Sequence, residues 1–100
     1  MRPTTSLEYI DKALVLVIER HKTTPELPVY KTLIDQLKYV RSVFDGTEPD
    51  KSMLHKLTIG AIGAKEFETT DDELAVALMD VHYITEQSAN GLKIRLPGQQ

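Results

Sequence analysis

The chain has 100 residues, 41% of them apolar, no cysteine and a net charge of −3. That length suits one domain over residues 1–100, able to bury roughly 60–70% of the surface its unfolded chain would expose, and the apolar content excludes a disordered chain. The missing cysteine excludes a disulfide framework and a thiolate metal site. The acids cluster: Glu66 to Glu86 holds seven carboxylates and no Lys or Arg, the reverse of what a nucleic-acid binder needs to neutralise phosphates.

The first predicted helix begins at Thr5, where Thr5 and Glu8 have capping-box spacing. Leu7, Ile10, Leu14, Val17 and Ile18 follow at helical period. Val15 and Leu16 widen that stripe, which predicts a central helix buried on more than one side. Arg20 and Lys22 suit the negative end of its dipole, and the helix ends before the loop 23-TTPELP-28.

Pro28 fits the first turn of a second helix, where its missing N–H costs nothing. Tyr30, Leu33, Ile34, Leu37, Val40 and Phe44 form its apolar stripe, and Gly46 closes it. A third helix is predicted from Lys51 to Glu68, with Leu54, Leu57, Ala61 and Ile62 on one face. Gly60 and Gly63 lie inside it, each costing about 1 kcal/mol against Ala. Their presence predicts close approach by a neighbouring helix. The run 60-GAIG-63 also has the form of a KH-domain GXXG loop, but the strands and basic surroundings of that fold are missing.

The fourth helix is predicted from Thr70, with Thr70 and Glu73 at capping-box spacing and Asp71 and Asp72 in the electropositive first turn. Leu74, Ala77, Leu78, Val81 and Ile84 face the core, and the helix ends before Gly91. The segment 92-LKIRLP-97 alternates apolar and basic residues and reads as extended. The expected fold is all-α, a compact four-helix domain with a short extended C-terminal tail. The longest apolar run, 13-ALVLVI-18, is too short for a membrane span, and MRPTTSLEYIDK has no signal-peptide core. The expectation is a cytoplasmic protein with no membrane partner.

Five carboxylates crowd the stretch 65-KEFETTDDEL-74. It lacks the D-x-[DN]-x-[DN]-G pattern of an EF-hand, and the chain has no Glu-x-x-His pairs of a di-iron bundle. His21, His55 and His82 have no helical zinc spacing, and Ser6, Ser42, Ser52 and Ser88 have no G-x-S-x-G context. The reading is therefore no enzyme, no metal and no cofactor. The acids cap and solvate a helix start, and they can also face a basic partner, whose association an acidic surface would steer. With Leu74, Leu78 and Val81 inward, a step of about 100° per residue turns Asp72, Val76, Met79 and Tyr83 outward. An adaptable Met and a rigid Tyr beside carboxylates suit a binding patch. The alternative is a seam through which the free protein self-associates as a homodimer.

The run 54-LHKLTIGAIGAKEFETTDDELAVALMD-80, with 8-EYIDKAL-14, 36-QLKYVRSV-43 and 91-GLKIRLP-97, resembles the small immunity proteins of bacterial type VI secretion. The likeness points to those that neutralise an effector hydrolysing NAD(P)⁺. It covers most of the chain in order and departs at the loop 23-TTPELP-28. It implies an all-helical cytoplasmic inhibitor that binds a cognate secreted toxin and occludes its active site, with no chemistry of its own. The matching positions divide into Phe67, Leu74 and Leu78 as core and Asp72, Asp80 and Tyr83 as surface. Together with Glu66, Val76 and Met79, those three surface residues are the expected toxin-contacting set.

Overall fold

The structure, a computed structural model, describes residues 3–98. Its α-helices are α1 (Ser6–Thr23), α2 (Pro28–Phe44), α3 (Ile59–Ile62) and α4 (Asp72–Ala89), and no strand occurs among the described residues. The all-α, four-helix expectation stands.

Helix α1 is the centre: it packs against α2 on one side and α4 on the other. Ile10, Ala13 and Val17 of α1 meet Leu33, Leu37 and Val40 of α2 and Leu74, Leu78 and Val81 of α4 in one fully enclosed core. Leu16 is buried as predicted, but Val15 is 56% exposed, so α1 buries two faces and leaves the third in solvent. Phe67 enters the core and stacks on Tyr30, with ring centroids 5.8 Å apart.

The caps differ in detail from the spacing rules. The Thr5 hydroxyl accepts from the Glu8 amide at 3.1 Å, and the Glu8 carboxylate reaches back chiefly to the amide and hydroxyl of Thr4. At α4 the capping residue is Asp71 rather than Thr70: its carboxylate accepts from the Leu74 amide. The Thr70 hydroxyl instead donates to the Glu66 carbonyl. At the other end of α4, Gly91 has φ of 68°. The Gly91 amide donates to Ser88 and the Leu92 amide to Gln87, the paired bonds that close a helix through a left-handed residue.

The third helix is the largest departure. It is not continuous from Lys51 to Glu68. A 3₁₀ turn (Ser52–Lys56) gives way to extended Leu57, then the single α turn α3, then a π-helical turn (Gly63–Phe67). The break is held open by Gln36 of α2. Its amide nitrogen donates to the Thr58 hydroxyl at 2.7 Å, and its amide oxygen accepts from the Thr58 backbone at 2.9 Å. A backbone interruption is tolerated where its free groups find partners. Ala61, expected inward, is exposed on this reshaped segment.

The two glycines behave as their presence suggested. A Cβ at Gly60 would sit 2.5 Å from Cγ of His82, so the imidazole of α4 lies directly on the Gly60 backbone. A Cβ at Gly63 would come within 3.1 Å of the Leu78 Cβ. The GAIG run is thus a helix-packing seat.

Beyond α4 the tail is extended, as its alternation predicts. The Gln87 side chain clamps it: Nε2 donates to the Arg95 carbonyl and Oε1 accepts from the Arg95 amide, both at 2.9 Å. The Tyr9 hydroxyl donates to the Pro97 carbonyl. No helix among the described residues is long and apolar enough to cross a membrane.

Candidate partner-binding face

The acid-rich stretch separates into two structures. Asp71 and Glu73 point at Arg20 near the end of α1. Arg20 Nε donates to Asp71 Oδ2 at 2.8 Å, and Nη2 donates to Asp71 Oδ1 at 3.3 Å and to Glu73 Oε1 at 3.0 Å. Arg20 and Asp71 keep only 27% and 21% side-chain exposure, whereas Glu73 is 64% exposed. The fork geometry of guanidinium on carboxylate makes the Asp71 contact the strong one. It holds the Asp71 carboxyl below its ordinary range, opposed by partial burial and helped by the Leu74 amide. This clamp ties the last turn of α1 to the first turn of α4, two ends 51 residues apart in sequence. Sequence reading assigned Arg20 only to the helix dipole and missed the pairing.

The remaining acids face outward. Asp72 is exposed, Val76 is 52% exposed and Met79 is 40% exposed, as the helical step predicts for one outward stripe. These three and Asp80 line a single groove of about 360 Å³. The π-helical turn and the loop after it supply the opposite side through Gly63, Ala64 and Glu68. Ala75 completes the lining. The groove exists because the residues where the π turn meets α4 are small: Gly63 seats on Leu78, and neither Ala64 nor Ala75 can fill the space above it.

Three carboxylates, Glu68, Asp72 and Asp80, stand around an otherwise apolar lining, with no Lys or Arg among the described residues that line it. Asp80 differs from its sequence reading as a surface residue: it is half-buried. Desolvation pushes its carboxyl above the ordinary carboxylate range, and the Lys12 charge on α1 partly offsets this. Asp80 and Val76 also line a neighbouring concavity of about 460 Å³ with Tyr9, Lys12 and the tail at Pro97. The two hollows adjoin on the outer side of α4, where they share Val76 and Asp80.

Of the six residues expected to contact a partner, the structure brings Asp72, Val76, Met79 and Asp80 together. Glu66 is exposed on the π turn but outside the groove lining, and Tyr83 lies one turn beyond Met79, half-buried. Gly63, Ala64, Ala75 and Glu68 were not anticipated. The glycine pair was the available signal, since close helix approach flanked by small residues leaves a slot. His82 pairs with Glu86 at 3.2 Å on another side of α4. Among the described residues no three His, Asp or Glu side chains converge as a metal site would require.

A profile of the Tsi6 family matches residues 5–87, more than four-fifths of the chain. The chain belongs to the Tsi6 family. The immune protein Tsi6 of Pseudomonas aeruginosa PAO1 is 45% identical over 93 residues, which cover 93% of this chain and 99% of that protein. A chain in a structure of Tse6 in complex with Tsi6 superposes with a TM-score of 0.89 at 45% identity, covering 94% of this chain and 100% of that one. Tsi6 from P. aeruginosa solved by itself gives a TM-score of 0.81 at 44% identity, covering 95% of this chain and 99% of that one. The sequence resemblance to type VI immunity proteins is borne out, and the Tsi6 fold extends over nearly the whole chain.

Proposed function

We propose that this chain is an immunity protein that binds a cognate type VI secretion toxin in the cytoplasm and inhibits it by occluding its active site. One observation carries the reading. The solved chain most of whose fold this protein reproduces, at a TM-score of 0.89 and 45% identity, stands in a complex of Tse6 with Tsi6. The chain does no chemistry of its own in this role. Its contribution is a rigid surface, and the outer face of α4, with Asp72, Val76, Met79, Asp80, Tyr83 and neighbouring Glu66, is the part we assign to the toxin. An interface of standard size, about 800 Å² per partner, would take more than a tenth of the 6229 Å² this small molecule exposes. The finer reading, from the sequence resemblance, is that the toxin hydrolyses NAD(P)⁺.

The test takes as toxin the product of a gene adjacent to this chain's, expressed and assayed for toxicity first. Co-expression in a sensitive host is expected to restore growth, the two proteins to co-purify, and a stoichiometric amount of the chain to abolish NAD(P)⁺ hydrolysis in vitro. Loss of both protection and complex would refute the immunity role. Protection from a toxin with a different reaction would refute only the NAD(P)⁺ assignment. The exposed Val76 and Met79 equally suit pairing of two copies of the free chain, and sedimentation of the isolated protein separates that reading from a monomer that waits for its toxin.

A further inference from the structure

We infer that the groove between α4 and the π-helical turn is a receptor for a single cationic side chain of the toxin, an arginine or lysine whose apolar stem lies along Val76 and Met79 and whose charge meets Asp80, Asp72 and Glu68. The inference rests on the immunity reading and specifies which part of the surface does the recognising.

Three features of the site select this occupant. The lining is apolar in its body and carboxylate at its edges, with no base among the described residues that line it. Long cationic side chains match that division, because they bury their methylenes and keep the charged head among polar groups. Among the described residues the half-buried Asp80 carboxylate takes part in no hydrogen bond or ion pair, and the Lys12 charge on α1 acts on it. A half-buried carboxylate in that state gains more from an incoming cation than an exposed one does, because its own hydration is already reduced. Finally, the acids around the groove belong to a run from Glu66 to Glu86 without any Lys or Arg, so the surrounding field favours the same sign of ligand. An apolar peptide would strand these carboxylates against its own surface, and an acidic one would be repelled.

The π turn gives the slot its shape. Five residues, Gly63–Phe67, replace what would be a continuous α-helix. Such wide turns recur where a helix has been remodelled for a binding or catalytic purpose. Here the turn seats Gly63 against Leu78, and Ala64, Ala75 and Val76 line the open space beside it.

The experiment measures affinity for the toxin encoded beside this chain's gene by calorimetry at two salt concentrations, starting with the unaltered chain. A charge variant, Glu68→Gln/Asp72→Asn/Asp80→Asn, keeps the shape of the groove, and Ala64→Trp fills it with little risk to the fold because Ala64 is exposed. A control, Glu26→Gln/Asp35→Asn, removes charge from exposed positions elsewhere. The charge variant is expected to weaken binding on the order of 100-fold and to flatten its salt dependence, as loss of partly buried charge pairs does. The filled groove is expected to lose binding at both salt concentrations, and the control to change it by less than about 3-fold. Failure of the unaltered chain to bind would refute the immunity reading. Tight binding by the unaltered chain that survives in both groove variants would overturn this inference and leave the immunity reading standing. A homodimer of the free chain abolished by Ala64→Trp, with toxin binding intact, would also overturn it, because the occupant would then be a second copy.

Discussion

Replacing Asp71 by alanine removes two supports at once. The first is the cap on the Leu74 amide, worth about 1 kcal/mol when lost. The second is the two-pronged contact with Arg20. Exposed ion pairs contribute about 0–1 kcal/mol and breaking a buried one costs about 3–5 kcal/mol; at 27% and 21% side-chain exposure this pair lies between, at about 1–2 kcal/mol. The sum is about 2–3 kcal/mol. In a domain of this size 1 kcal/mol moves Tm by about 4–8 °C, so Asp71→Ala is expected to lower Tm by about 10–20 °C. Asp71→Asn retains a good capping oxygen and loses the charge, so its expected drop is about half as large. Glu73→Ala, at the 64% exposed end of the clamp, is expected to change little. The sign with pH follows from the depressed Asp71 pKa. The unfolded chain ionises near 3.8 and the folded one lower. The clamp is thus fully present at neutral pH and is lost as pH falls through the folded value. The Tm gap between parent and Asp71→Asn is expected to be full at pH 7 and to close below about pH 4. Thermal melts followed by circular dichroism across pH read all of this. An Asp71→Ala protein within about 3 °C of the parent at pH 7, or a gap that widens in acid, would refute the reasoning.

Two further perturbations probe the packing that shapes the face. Gly60→Ala must displace the His82 ring and is expected to destabilise by about 1–2 kcal/mol; in a His82→Ala background the same change should become neutral or stabilising, since Ala then contributes only its better helix propensity. Urea titration of the four proteins gives the coupling, and equal effects in both backgrounds would exclude the ring contact. Leu78→Ala opens a void in the fully enclosed core beneath Gly63 and is expected to cost about 2–5 kcal/mol, seen as a lower urea midpoint with an unchanged slope.

Helical period alone places the core of α2 and α4. Tyr30, Leu33, Ile34, Leu37 and Val40 are all buried, and so are Leu74, Ala77, Leu78, Val81 and Ile84. Burial of one stripe per helix is a local property of a 3.6-residue repeat, so a single sequence carries it. The outward stripe of Asp72, Val76 and Met79 is legible for the same reason. So is the use of Gly60 and Gly63, because two glycines inside an apolar helix signal an approaching neighbour.

Everything that depended on a distant partner had to await the tertiary structure. The third helix breaks at Leu57 because Gln36, 22 residues earlier, satisfies Thr58. Val15 stays in solvent because α1 has only two helices to cover its three apolar flanks. Thr70 yields the cap to Asp71 in a clamp where Arg20 also binds that carboxylate. The groove itself joins residues of the π turn to residues of α4, and no spacing rule relates those two sets. Local period and capping chemistry dictate which residues are helical and which way most of them face. Only packing across the fold decides that Asp71 and Glu73 are clamped in structure and that Glu68, Asp72 and Asp80 stand around an open slot.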